Sequence, residues 1–107
     1  TVRHKRFKLV SDATVCLLNK GIFVFSPIAY NHPMVKYNLP TSWEFWKEYD
    51  IAFLKKCEGL IVLKLDGWDT SIGVAGEIDF AKKNGIPVTY LSLEQIVKGR
   101  FKLSHKN

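Results

Sequence analysis

Apolar residues near the start of the chain recur at helical spacing. Steps of three and four residues separate the members of one stripe, as on one face of an α-helix. This stripe consists of Phe7, Val10, Thr14 and Leu17, and it is widened by Leu9, Ala13 and Cys16. Gly21 follows shortly after, and glycine is common just beyond a helix end. The pattern predicts a helix over residues 3–19.

Three short runs of apolar residues come later in the chain, at 22–25, 60–65 and 87–91. A continuous apolar run of this length is typical of a strand that is buried on both faces of a parallel sheet. We therefore expect these segments to be parallel neighbours in one sheet. The runs predict strands near 22–26, 59–65 and 87–91.

The segments between and after these runs predict the remaining elements. Helices are expected from Thr41 or Ser42 to about Lys56, from Ser71 or Ile72 to Asn84, and from about Ser92 to Gly99. The segment 27–41 contains three prolines and is predicted to be an irregular loop. The tail from Arg100 is expected to be frayed.

The alternation of strands and helices predicts an α/β protein with a parallel sheet covered on both faces. The expected architecture is a flavodoxin-like or Rossmann-like three-layer sandwich, formed by a single domain over residues 1–107. Such a sheet normally opens with a strand that becomes central, whereas this chain opens with a predicted helix. We therefore expect roughly ten or more residues before Thr1 to form a strand between those at 22–26 and 59–65.

Composition narrows the classes of function. Apolar residues make up 47% of the chain, which favours a packed globular domain over disorder. No apolar run approaches the roughly 20 residues that span a bilayer. The chain also does not open with the pattern of a signal peptide. These observations predict a cytoplasmic protein without a membrane partner.

The formal net charge is +6, from 16 Lys and Arg against 10 Asp and Glu, and much of the excess lies at the two ends. A basic balance favours anionic partners such as phosphates or nucleic acid, although two solvated basic ends explain the charge equally well.

Cys16 and Cys57 lack the spacing of a metal site and are expected to be packed thiols. The three histidines are scattered and predict no metal site.

The segment 66–77 is the most informative for a binding site, because ligands of open α/β sheets bind at the carboxyl ends of the strands. Ser71, Gly73 and Gly76 place a hydroxyl and two glycines at the predicted start of a helix. Glycine in a helix costs about 1 kcal/mol relative to alanine. The pair therefore indicates a close approach to the backbone, where free N–H groups bind phosphate. The alternative is an ordinary N-cap and glycines that allow tight packing.

Glu77 and Asp50 are the candidate acidic residues. The position of Glu77, one to two turns into its helix, by itself favours a solvated surface residue. Asp50 follows Trp43 by seven residues and Trp46 by four, so these three share a helical face. A buried carboxylate needs a partner, and the alternative is an aspartate at the edge of an aromatic core. His32 is either a ligand contact or an exposed loop histidine.

Several segments of the chain resemble a single superfamily. Its members are nucleoside 2-deoxyribosyltransferases and 2'-deoxynucleoside 5'-phosphate N-hydrolases, and the chain is most similar to a branch of short bacterial and phage domains. The resemblance covers roughly residues 3–92. It is carried by 25–28 (Phe-Ser-Pro-Ile), 43–46 (Trp-Glu-Phe-Trp), Asp50, 63–68 (Leu-Lys-Leu-Asp-Gly-Trp) and 71–78 (Ser-Ile-Gly-Val-Ala-Gly-Glu-Ile).

The resemblance implies an enzyme that cleaves or transfers the N-glycosidic bond of a deoxynucleoside or its 5'-monophosphate. It implies that Glu77 is the nucleophile, forming a covalent glycosyl intermediate, and that Asp50 positions or protonates the base. Ser71 stands where transferases of the free sugar have an aspartate, which favours a phosphorylated substrate. The implied substrate-binding residues are Ser71, Gly73, Gly76, Trp43, Trp46, Trp68 and His32. A homo-oligomer that requires no metal or organic cofactor is also implied.

Two other functions are compatible with the same residues. One is a non-catalytic nucleotide-binding module that keeps the pocket. The other is an N-glycosidase that acts on a modified base in DNA, for which the charge of +6 would matter directly. A steep salt dependence of DNA binding would distinguish the second from an enzyme of small nucleotides. Fold alone does not choose among the three.

Overall fold

The computed structural model describes residues 2–40 and 42–103, and its sheet is a parallel pair of strands. The strands are β1, Leu60–Leu63, and β2, Val88–Leu91. In their register, Leu60 lies opposite Val88. The predictions of these two strands and of their parallel pairing are therefore confirmed.

Helices lie before, between and after the strands. Within the described residues they are α1 (Val2–Asn19), α2 (Pro27–Met34), α3 (Trp43–Leu54), α4 (Ile72–Lys83) and α5 (Leu93–Val97), with short 3-10 turns at Val35–Tyr37 and Trp68–Thr70. Ser42, Ser71 and Ser92 are the N-caps of α3, α4 and α5, and each side chain accepts a hydrogen bond from a first-turn N–H. These caps satisfy donors that lack an intrahelical partner, which explains why the predicted helix starts lie close to the observed ones.

The sheet has a hydrophobic core on each of its faces. The buried residues of the first core are Ala13, Leu17, Leu91 and Ile96. Those of the second core are Leu54, Ala81 and Ile86. Ile61 and Leu63 of β1 pack against the first core and Leu60 against the second, because successive side chains of a strand point to opposite faces. Helices therefore cover both faces of a sheet that is two strands wide, which fits the α/β class.

Residues 22–26 do not form a strand, so this part of the predicted sheet is wrong. No strand within residues 2–40 or 42–103 is hydrogen-bonded to the segment, and pairing is what makes a strand. Its side chains nevertheless alternate. Ile22 and Val24 pack against the first core, whereas the Phe25 ring stacks on that of Phe53 in α3, with centroids 4.2 Å apart. The expected strand before Thr1 lies outside the described residues.

The segment predicted to be an irregular loop contains α2 instead. Pro27 is the first residue of this helix, where proline is tolerated because the first-turn N–H groups have no intrahelical partner. Ser26 stabilises the helix start. Its hydroxyl oxygen accepts a hydrogen bond from the Ala29 N–H (3.4 Å), and its carbonyl oxygen accepts one from the Tyr30 N–H (3.0 Å). The prediction of an irregular loop is therefore wrong for residues 27–34, because a proline in the first turn is compatible with a helix.

Phe101 and Leu103 pack against the first core. The prediction of a frayed tail from Arg100 is therefore wrong as far as Leu103, and residues 104–107 lie outside the described part.

Cys16 and Cys57 are partly buried thiols, as predicted. None of the helices described in the structure is long and apolar enough to cross a membrane.

Candidate active site

A cleft of about 740 Å³ runs along the open edge of β1. Residues 21–28 form the wall opposite β1, α1 lies on one side, and α3 and α4 lie on the other. Its volume is within the range of sites that bind small molecules. Its lining includes Arg6, Asp50, Asp66, Trp68, Ser71 and Glu77, together with further polar side chains such as Lys56, Cys57 and Glu58.

Glu77 lies on the inner face of α4. It follows Val74, which also lines the cleft, by three residues and precedes the fully buried Ala81 by four. Burial, together with the smaller effect of the nearby Asp50 charge, raises the pKa of the Glu77 carboxyl from 4.5 to about 7. Glu77 is thus not the solvated surface residue that its position in the sequence favoured.

Asp50 comes from a different helix and is the buried acid of the site. Its side chain lies on α3, one turn before the buried Leu54, and the residue is only 7% exposed. Asp50 and Glu77 line the same cleft, and the Asp50 charge contributes to the raised pKa of Glu77. The structure therefore brings together the two acids that the sequence singled out, which lie 27 residues apart.

Ser71 caps α4 at the edge of the cleft. Its Oγ accepts a hydrogen bond from the Val74 N–H at 3.3 Å, which is the N-cap role given as the alternative in the sequence analysis. Ser71 also lines the cleft, and a hydroxyl that accepts one hydrogen bond still has a proton to donate. The cap and a contact with a ligand are therefore compatible roles for this residue.

The two glycines of α4 lie beneath the indole ring of Trp43. A Cβ atom at Gly76 would lie 2.5 Å from Cζ2 of Trp43, and one at Gly73 would lie 3.5 Å from Cε3 of the same ring. The close approach to the backbone that these glycines predicted is thus made by a side chain of α3. Their contribution to substrate binding stays a prediction.

The other aromatic candidates lie at different places. Trp68 lines the cleft, with its ring centroid 5.6 Å from that of Tyr90. Trp46 is directed towards the loop before α3, where its Nε1 donates to the Pro40 carbonyl oxygen at 2.8 Å. The His32 ring stacks on Phe7 of α1, with centroids 4.5 Å apart. Of these three, the structure places only Trp68 in the cleft.

Arg6 is one of the basic residues at the N-terminal end of the chain, and the structure places it in the lining of the cleft. Its Nη2 donates to the Asp66 carbonyl oxygen at 2.9 Å. The spacing of residues in α1 could have predicted this position. Arg6 precedes Val10 by four residues and Thr14 by eight, so the three share one helical face, and all three line the cleft. A positive charge therefore faces the loop that leads from β1 to Ser71.

A second feature that sequence reasoning missed is an aromatic group next to Asp50. It consists of Phe25, Tyr30, Tyr49 and Phe53, whose rings contact one another. A hydrogen bond to Tyr30 raises the pKa of Tyr49 to about 12. Phe25 also lines the cleft, so this group connects the cleft to the outer surface of α3.

Comparison with known proteins identifies the family to which the chain belongs. None of the curated proteins compared with the chain matches it significantly. Over residues 2–93 the chain matches a family described as a domain of unknown function, DUF1937. The match includes β1, β2 and all the site residues discussed above. The chain therefore belongs to the DUF1937 family.

Proposed function

We propose that this protein cleaves or transfers the N-glycosidic bond of a deoxynucleoside or a deoxynucleoside 5'-monophosphate. One observation carries the proposal: Asp50 and Glu77, from two helices, face one cleft, and burial together with the Asp50 charge raises the pKa of Glu77 to about 7. Two carboxyl groups that face the same bond are what glycoside cleavage uses. The pairing is also part of the pattern by which the chain resembles the deoxyribosyltransferase superfamily.

In the proposed reaction, a carboxylate oxygen of Glu77 attacks C1' of the deoxyribose as the bond from C1' to the base nitrogen breaks. Asp50 hydrogen-bonds the departing base or gives it a proton. Water then attacks C1' of the glycosyl ester, the Glu77 carboxylate leaves, and the water proton passes to Asp50. A second base in place of water gives the transferase reaction. Neither step uses a metal or an organic cofactor.

The remaining groups of the cleft suit a nucleotide. Phe25 and Trp68 offer aromatic rings on which a base can stack. Arg6 and Ser71 supply a positive charge and a hydroxyl near the carboxyl end of β1, and these groups favour a phosphorylated sugar. This arrangement supports the 5'-monophosphate over the free nucleoside as the substrate.

The proposal also covers fold, assembly and location. A flavodoxin-like or Rossmann-like three-layer sandwich is supported by the cores on both faces of the sheet. A homo-oligomer is supported by exposed aromatic side chains, of which Tyr37 is 69% exposed. The cytoplasm is the compartment in which nucleotide substrates are found.

The direct test is release of free base, measured by mass spectrometry after incubation with a panel of deoxynucleosides, deoxynucleoside 5'-monophosphates and DNA. We expect release from the monophosphates, and we expect Glu77→Gln to reduce it by several orders of magnitude while nucleotide binding persists. Asp50→Asn is expected to lower kcat most for bases that leave as neutral molecules. Exposed Glu94 of α5 offers a matched control, because Glu94→Gln changes the same functional group outside the cleft.

Three results would contradict the proposal in different ways. Nucleotide binding without release of base by the wild type would indicate a non-catalytic binding module. Release from DNA alone, with steep salt dependence, would indicate an enzyme that acts on a base in DNA. Equal rates for wild type and Glu77→Gln would exclude Glu77 as the nucleophile.

A further inference from the structure

One long wall of the cleft is the unpaired edge of β1. The N–H groups of Leu60 and Lys64 donate to the carbonyl oxygens of Pro87 and Leu91, both at 2.8 Å, so these positions face β2. Because the N–H groups of a strand alternate in direction, those of Ile61 and Leu63 point the other way, towards the cleft. No strand in the described ranges pairs with this edge. The wall therefore offers a row of backbone donors and acceptors.

The opposite wall is the segment 22–26, whose side chains alternate as those of a strand do. Ile22 and Val24 reach the first core, and Phe25 reaches the aromatic group on α3. Phe23 is 99% exposed, which is unusual for a phenylalanine in such a segment. This wall has the side-chain pattern of a sheet strand without a paired neighbour.

The remaining two sides of the cleft are largely apolar away from the polar residues of the candidate site. Val10, Ala13 and Leu17 of α1 line one side, and Leu54 and Val74 of α3 and α4 line the other. A space that lies between two strand-like walls, with apolar helices on both faces, has the surroundings of a central strand in a parallel sheet. β1 is 4 residues long, which corresponds to about 13 Å of strand.

The position of α1 identifies which segment can fill this space. The hydrogen bond from Arg6 to the Asp66 carbonyl oxygen places the first turns of α1 beside the loop that leaves the carboxyl end of β1. A strand parallel to β1 would end at that same side of the sheet. A short turn is therefore enough to join its last residue to Val2, and α1 would then lead back to residues 22–26.

We infer that the cleft receives a β-strand formed by the residues that directly precede α1 in the polypeptide, pairing in parallel with β1 on one side and with residues 22–26 on the other. The strand has four to six residues that are apolar on both faces, since both faces meet apolar helices. Its carboxyl end lies at the same end of the sheet as the loop that leads from β1 to Ser71. The inference uses only the walls of the cleft, so it does not depend on the proposed chemistry.

The experiment compares residues 1–107 with the same chain extended by about ten residues encoded directly before Thr1, enough for a strand and a turn. Amide hydrogen exchange is measured residue by residue. We expect the N–H groups of Ile61 and Leu63 to exchange at least about tenfold more slowly in the extended chain. The N–H groups of Leu60 and Lys64 are the internal control, because β2 already protects them. A variant with proline at two alternating positions of the added strand should lose the protection.

Equal exchange at Ile61 and Leu63 in the two chains would overturn the inference, as would a reading frame with fewer than four codons before Thr1. Protection that grows with protein concentration would overturn it as well, since a second copy of the chain would then supply the strand. If residues 1–107 fold poorly alone and the extended chain folds with Ile61 and Leu63 protected, the inference is supported. Base release is not measured here, so the proposed function can fail separately.

Discussion

The indole ring of Trp43 lies so close to Gly76 that a Cβ atom there would be 2.5 Å from Cζ2. Alanine at position 76 would therefore overlap the ring, and we expect Gly76→Ala to lower the free energy of unfolding by about 1–3 kcal/mol, the usual cost of overpacking. Thermal or urea unfolding measures the change.

Gly73 provides the matched control for this prediction. A Cβ atom at Gly73 would lie 3.5 Å from Trp43, an ordinary contact, so Gly73→Ala should be neutral or stabilising by up to about 1 kcal/mol because alanine favours helix. Trp43→Leu in the Gly76→Ala background should restore part of the lost stability. Equal effects of the two alanine substitutions would show that the Trp43 ring does not restrict position 76.

The raised pKa of Glu77 makes the stability of the protein depend on pH. The carboxyl ionises near 4.5 in the unfolded chain and near 7 in the folded protein. Between these values the unfolded chain releases its proton first, so the stability present below pH 4.5 falls as pH rises to 7. The difference corresponds to roughly 3 kcal/mol. Glu77→Gln should therefore be more stable than wild type at pH 8 and equally stable at pH 4, as measured by denaturant unfolding.

The pH dependence of base release distinguishes two roles for Glu77. A nucleophile must be ionised, so kcat/KM should rise about tenfold per pH unit below pH 7 and level off above it. A rate that instead falls above pH 7 would mean that Glu77 acts as the proton donor and that Asp50 is the nucleophile. The profile should be measured with one substrate and corrected for any loss of folded protein.

Ser71 has two roles that substitutions can separate. Ser71→Ala removes the N-cap of α4 and should cost about 1 kcal/mol of stability. Ser71→Asp keeps a good cap and suits the helix N-terminus, but its charge would repel a phosphate. We expect the aspartate variant to stay folded and to show a raised KM for 5'-monophosphates but not for nucleosides. An unchanged preference for monophosphates would place the phosphate away from Ser71.

Assembly can be tested at the exposed aromatic side chains. We expect light scattering to give the mass of a dimer or a larger oligomer for the wild type, and a smaller mass for the pair of substitutions Tyr37→Ser and Phe45→Ser. Both side chains are exposed, so the change should not disturb the cores. Lys47→Ser, on the same helix as Phe45, is the control. A monomeric mass for the wild type would contradict the prediction.

Much of the fold could be predicted because its signals are local. Ser42, Ser71 and Ser92 mark helix starts through hydrogen bonds that span three residues. The absence of a strand at 22–26 was not predictable in this way, because a strand depends on a partner from elsewhere in the chain. The helix after Pro27 was missed because proline was read as a breaker, although it is tolerated in the first turn.

The candidate site was predictable to a similar extent. The sequence was interpreted as favouring a solvated Glu77, although Val74 and Ala81, three residues before it and four residues after it, mark the inner face of the same helix. The contact between Trp43 and the glycines was not visible, because it joins two helices whose packing no short pattern specifies. Arg6 was not predicted as a site residue, because its charge was attributed to the basic N-terminal end of the chain. Its spacing from Val10 and Thr14 places it on the helical face of α1 that lines the cleft.

The hydrogen bond from Arg6 to the Asp66 carbonyl oxygen also bears on how the protein folds, because the two residues are 60 positions apart. Contacts of large sequence separation form late, after local units such as β1, α4 and β2 have reduced the cost of closing the chain. The mouth of the cleft is therefore expected to become ordered last during refolding. Pulse-labelled amide exchange would show this as protection that appears later in the first turns of α1 than in α4, and simultaneous protection would argue against it.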